Sequence, residues 1–352
     1  EHPEAAFNSA EKLAELAPKS GHIVHMPGHI FFKVGDYQRA YQSFADSAKA
    51  DSGYIRLQSI EPIDNWNYWH NLQFMVANCA EAGRYQDGMR WSQTLEKLPL
   101  SSKGKKGTTK DKASDSPWYW YFERKSLFTV PDFNLRFGFW QAVVDSLIEV
   151  PEDVSTRAKD LRKHLLLFAK AMAVLDKGNV DQANQLAIAL DASLWQLSLD
   201  KSKSGNQRLS EHEINRLATT SLELRGNIES VKGNHEEAIE LFERAIEKGK
   251  KSFVGDPPFY PRPVQESLAA AYLRIKDWPN ARKAYQDILS FRPSSGHALF
   301  GIARSYALAG KKVKATAAYK NFLSSWQHAD PDLPHMQAAE TWLKTNQEDN
   351  LD

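Results

Sequence analysis

The chain has 352 residues, of which 42% are apolar and 11% aromatic, and a formal net charge of +1 at pH 7. That balance excludes an electrostatic nucleic-acid or membrane-surface binder, which would concentrate Lys and Arg, and no apolar run approaches the roughly 18 residues of a membrane-spanning helix. Cys79 is the single cysteine, so an internal disulfide, a thiolate metal cage and C-x-x-C redox chemistry are excluded as well.

Taken in chain order, the segments repeat with a period of about 34 residues, the signature of stacked helical hairpins. Residues 1–18 read as the second helix of a hairpin ending at Pro18, which places the native N-terminus upstream of Glu1 and leaves open whether this soluble chain is cytoplasmic or exported. Gly35-Asp36-Tyr37, followed by Ala40 and Phe44, anchors a repeat at 21–54, with Gly28 at the small-residue position of its first helix. Gly83-Arg84-Tyr85 anchors the next at about 69–102. Residues 101–117 contain no large apolar side chain and predict a mobile polar loop.

Gly138-Phe139-Trp140 predicts a looser hairpin over 117–150, Gly178-Asn179 one at 164–197, and Gly233-Asn234 one at 219–252, with a second polar loop over 198–210. Phe253 to Pro261 is too rich in proline for a helix and predicts an extended connection. Two repeats then abut without a gap: 262–295, with Trp278, Ala281, Tyr285 and Pro293, and 296–329, with Ala303, Tyr306, Gly310, Ala315 and Tyr319. Residues 335–346 predict a capping helix, and no segment alternates in a way that demands a strand.

These small and aromatic positions resemble those of tetratricopeptide-repeat proteins. The resemblance implies an all-α, right-handed superhelical solenoid of tetratricopeptide-like helical hairpins. The expected organisation is N-terminal repeats over 1–102, a flexible loop over 103–117, and C-terminal repeats with the capping helix over 118–352.

In Gly21-His22-Ile23-Val24-His25-Met26-Pro27-Gly28-His29, three histidines leave the helix axis within an arc of roughly 60°. In the repeat register they take the second, fifth and ninth positions, which face the concave surface in tetratricopeptide proteins. The same register puts His70 on the neighbouring first helix. Imidazole is the commonest side-chain ligand for transition metals, and His25 and His29 have the i, i+4 spacing of a helical chelate. His22 and His29 are about 10 Å apart along a straight helix, so one ion could take all three only if Pro27 bends it.

The predicted ligands of a Cu, Zn or Fe site are His22, His25, His29 and His70, with Glu61 and Asp64 as accessory groups. An enzymatic version would have the metal polarise water or bind oxygen, with Glu61 or Asp64 as acid or base. The competing reading is a non-catalytic scaffold that holds a partner peptide or protein in the groove.

A narrower likeness rests on short motifs. Asn67-Tyr68-Trp69-His70 before the Gly83 turn is similar to a segment of the tetratricopeptide repeat protein 38 family, and His25-Met26-Pro27-Gly28-His29 resembles the His-Met-Pro-x-His signature of related bacterial proteins. This resemblance implies a C-terminal portion of a longer protein, with further histidine-bearing repeats upstream.

Other candidates are weaker. Glu211-His212-Glu213 fits a cation site less well than a solvated helix start, and the aromatic run Trp118 to Phe122 suits an inter-helix filling better than a sugar or base platform. His164, His235, His297, His328 and His335 read as structural or solvent-facing. Phosphate-loop, dinucleotide-binding, H-E-x-x-H and G-x-S-x-G motifs are absent.

Overall fold

A computed structural model describes residues 3–100, 117–149, 154–199, 209–250 and 261–348. Most of the predicted polar loops over 101–117 and 198–210 and of the proline-rich connection from Phe253 to Pro261 lies outside the described residues, but Pro117 already starts a helix and the helix from Val180 runs on through Ser198 to Leu199. Among those described, the chain is all-α: sixteen α-helices and two short 3-10 turns, with no strand. None of these helices is long and apolar enough to cross a membrane.

After α1 (Phe7–Leu16), the helices come as consecutive hairpins. They are α2 (Gly21–Lys33) with α3 (Tyr37–Gln58), α4 (Trp66–Ala82) with α5 (Tyr85–Glu96), α6 (Pro117–Phe137) with α7 (Trp140–Ile148), and α8 (Thr156–Asp176) with α9 (Val180–Leu199). Then follow α10 (Glu211–Lys232) with α11 (His235–Lys250), α12 (Gln265–Arg274) with α13 (Trp278–Phe291), and α14 (Gly296–Leu308) with α15 (Lys312–Ser325). The terminal helix is α16 (Pro334–Glu348).

The turns show why the sequence breaks where it does. One residue in the left-handed region stops the first helix and the next residue caps the second. Gly35 has φ +80° and Asp36 accepts the Arg39 amide, while Gly178 has φ +79° and Asn179 accepts the Gln182 amide. In α12–α13 the same place is held by Lys276 at φ 60°, before the cap Asp277.

Within a hairpin, one small residue lets the two helices close. A Cβ on Gly28 would overlap the Phe44 ring, and one on Gly226 would overlap Phe242, which sits at the same repeat position. Both rings are fully buried. Gly28→Ala is therefore expected to destabilise by about 1–3 kcal/mol through overpacking, although alanine is the better helix former. Gly53, also in a helix, has nothing within 4 Å of the place a methyl group would take, so Gly53→Ala should gain about 0.5–1 kcal/mol. Urea unfolding of the two variants checks this, and equal shifts of one sign would refute the packing argument.

The chain forms two compact units: residues 1–60, 65–91 and 268–352 in the first, and 61–64 and 92–267 in the second. In an open solenoid each repeat touches its sequence neighbours. In the first unit, hairpins from both ends of the chain pack together. The Glu81 carboxylate, buried in α4, accepts from Arg292 Nη1 at 2.8 Å and Ser295 Oγ at 2.5 Å. Trp326 Nε1 donates to the Glu81 carbonyl at 2.7 Å, and Tyr37 Oη donates to the Pro293 carbonyl at 2.7 Å. The second unit has its own core, including Phe133, Phe168, Leu224 and Phe242.

Candidate metal centre

Helix α2 carries His25 and His29 one turn apart, and it continues as a single helix through Pro27. Helix α4 supplies His70. One nitrogen from each of these three histidines lies within 4.8 Å of the other two. His25 is fully buried, while His29 and His70 are partly exposed. The pocket is aromatic: the His25 ring centroid stands 5.0 Å from Phe44 and 5.4 Å from Phe74, and His70 stacks on Trp66 at 4.7 Å.

The hydrogen bonds assign the donor atom. Asn71 Nδ2 donates to the Phe44 carbonyl at 2.8 Å, which turns Oδ1 towards His25 Nδ1 at 2.9 Å. An amide oxygen only accepts, so Nδ1 carries the proton and the Nε2 lone pair is left as donor to a metal. Burial pushes His25 down to about 3, against the Asn71 bond and with help from His29, His70 and His22, so the ring is neutral at physiological pH.

His25 Nε2 and His29 Nε2 are 2.7 Å apart, the separation of an N–H···N hydrogen bond. Two nitrogens about 2.1 Å from a tetrahedral zinc would be roughly 3.4 Å apart, so loading requires the His29 proton to leave and the pair to open by less than an ångström. Rotation of partly exposed His29 can supply that movement.

The other sequence candidates stand outside this group. His22 Nδ1 is 3.2 Å from Asn67 Oδ1, and Asn67 Nδ2 donates to Asp51 Oδ2 at 2.6 Å. Asp51 is buried, and that burial raises its carboxyl despite the amide bonds. The seven-residue spacing puts His22 on the right arc but leaves it two helical turns from His29. Glu61 precedes the 3-10 turn Pro62–Asp64 and Asp64 ends it, and neither is among the converging donors.

Reading the sequence missed Asn71, Asn67 and Asp51. Asn71 directly follows His70 but interacts across helices, which no local spacing announces. Gly21 carries a usable signal, since any side chain there would collide with Asp51.

The sequence pattern of the tetratricopeptide repeat family matches residues 267–334. No curated protein sequence matches the chain. Among solved structures, the chain is similar to a tetratricopeptide repeat protein from Parabacteroides merdae, with 12% identity, coverage of 96% of this chain and 98% of that one, and a TM-score of 0.38. It is similar to the APC/C hetero-tetramer Cut9–Hcn1 at 15% identity, 98% and 60% coverage and TM-score 0.39, and to yeast Tom70 at 12%, 99% and 93%, and 0.34. The family match takes in the hairpins within residues 267–334, and the histidine cluster lies outside the matched segment.

Proposed function

We propose that the first unit is a transition-metal site carried on repeat hairpins, with His25, His29 and His70 as its ligands. The observation that carries this is the convergence of three imidazole nitrogens, one held in its metal-donating tautomer by Asn71. Three neutral nitrogen ligands and an open position suit zinc, copper(II) or iron(II), and such a metal activates a bound water or polarises a carbonyl. His22 belongs to the surroundings of the site, not to its ligand set.

The tetratricopeptide match favours a second reading, a scaffold for a partner peptide or protein with no metal chemistry. Metal stoichiometry separates the two. Protein purified without an affinity tag and reconstituted with Zn, Cu or Fe should retain about one ion per chain. His29→Ala and His70→Ala should abolish retention, and His22→Ala should preserve it. Because His29 and His70 are partly exposed, their loss leaves the fold intact by circular dichroism. A wild-type protein that retains none of the three metals would overturn the metal reading.

A further inference from the structure

Helix α9 buries Ala183, Ala187 and Leu190 within its own unit, and its opposite face is apolar too. Ile188 is 57% exposed, Trp195 67% and Leu199 53%, with exposed Ala192 between them. The numbers 188, 192, 195 and 199 step by four, three and four residues, the a and d positions of a heptad repeat. That period makes a seam along one side of the helix, whereas apolar residues scattered singly over a surface have none.

The next hairpin shows what this face carries when it meets only water. Counted from the turn glycines Gly178 and Gly233, Ile188, Ala192 and Trp195 of α9 correspond to Glu243, Glu247 and Lys250 of α11, all three exposed and charged. From Gln182 to Leu199 the one charged side chain of α9 is Asp191, which accepts from Arg225 Nε at 2.6 Å and from the Ser221 hydroxyl of its own chain. The seam therefore offers no charge to a partner. Tryptophan, its largest side chain, is enriched at the centres of protein interfaces.

A second copy of the same helix fits this seam. In an antiparallel pair, with the two-fold axis between residues 193 and 194, Ala192 faces Trp195 of the partner subunit and Ile188 faces Leu199 of the partner subunit. Each layer then sets a small side chain against a large one, or two of similar size together. Beside the seam Ala189 faces Gln196 of the partner subunit, so no like charges meet. A parallel pair would instead put tryptophan on tryptophan and alanine on alanine, a bulge next to a gap. The antiparallel contact is isologous, so it closes as a dimer.

The area agrees with a reversible dimer. The uncovered parts of Ile188, Trp195 and Leu199 come to roughly 300–400 Å² per chain, taking about 150–250 Å² for a large side chain. With both copies and the exposed Ala189, Ala192, Gln196 and Ser198 included, the contact reaches about 1,000 Å², the lower edge of a specific interface.

We infer that the chain self-associates through α9 as an antiparallel two-fold dimer, with Trp195 seated over Ala192 of the partner subunit. The contact is independent of the histidine cluster.

Sedimentation velocity of the full chain, at concentrations from about 5 to 500 µM, tests this against an expected Kd of roughly 10–100 µM. Trp195→Glu should raise Kd tenfold or more, and because that side chain is mostly exposed the circular dichroism should match the wild type. Leu199→Lys, with the same expected loss, decides if the first variant misfolds. Disulfide trapping reads the register. Mixed Ile188→Cys and Leu199→Cys chains should cross-link to each other, while Ile188→Cys alone should not, since its two copies would stand about 16 Å apart along the axis. A wild type that stays monomeric throughout would mean that a different protein covers this face. That result, a dimer that both charged variants leave unchanged, or self-cross-linking of Ile188→Cys would each overturn the proposal.

Discussion

Arg292→Met is expected to destabilise the first unit by about 3–5 kcal/mol, the cost of removing one partner from a buried ion pair. Glu81 and Arg292 are both buried, and the substitution takes away the guanidinium that donates to the Glu81 carboxylate at 2.8 Å. The penalty falls where hairpins more than 200 residues apart meet, so the joined arrangement as a whole should loosen. Pairing it with Glu81→Gln removes the stranded charge and should recover part of the loss, giving a coupling energy well above the roughly 0.5 kcal/mol of independent sites. Urea unfolding of the two single variants and the double measures this. Additive effects would mean that the pair does not hold these hairpins together.

The second large effect is pH-dependent and belongs to the second unit. Burial lowers His164 from 6.5 to about 4, and the hydrogen bond to the Leu217 carbonyl offsets only part of this. Its Nε2 faces the Leu217 carbonyl at 3.3 Å and Thr220 Oγ1 at 3.1 Å, so a second proton would enter at Nδ1, where no described acceptor waits. The charged groups acting on the ring are Asp191 on α9, which favours protonation, and Arg216 on α10, which opposes it; Arg124 on α6 and Arg157 on α8 line one cavity with His164.

Because the folded pKa lies below the unfolded one, this stability is fully present above about pH 6.5 and is lost as pH falls towards 4. Each tenfold weakening of proton binding on folding is worth about 1.4 kcal/mol, so the loss approaches roughly 3 kcal/mol. Unfolding free energies measured from pH 7 to 4 should fall less steeply in His164→Gln than in the wild type. Parallel curves would show that the imidazole does not titrate on unfolding.

Local rules made the hairpins legible. The Gly35-Asp36 and Gly178-Asn179 turns announce where one helix stops and the next is capped, and Gly28 opposite Phe44 announces how closely the two approach. The helix starting at Lys312 follows from the same logic, since Gly310 takes φ +68°. His25 and His29 were legible as a pair because i, i+4 spacing is a property of one helix, and His70 because the register carries over to the next hairpin.

What escaped were the interactions between separate elements that no repeat register links. Glu81 and Arg292 look like ordinary helix charges until two distant hairpins meet. Arg124, Arg157 and Arg216 come from three different hairpins, and only the fold brings them to one cavity wall. His22 shows the opposite failure, for angular position on a helix says nothing of axial distance. It shares the arc of His25 but is engaged by Asn67.

X-ray absorption at the metal edge of zinc-reconstituted protein counts the imidazoles around the ion. Three imidazole nitrogens at about 2.0–2.1 Å, reduced in number in His70→Ala and unchanged in His22→Ala, are the predicted result. A shell of oxygens without imidazole scattering, or one that His70→Ala leaves untouched, would contradict it.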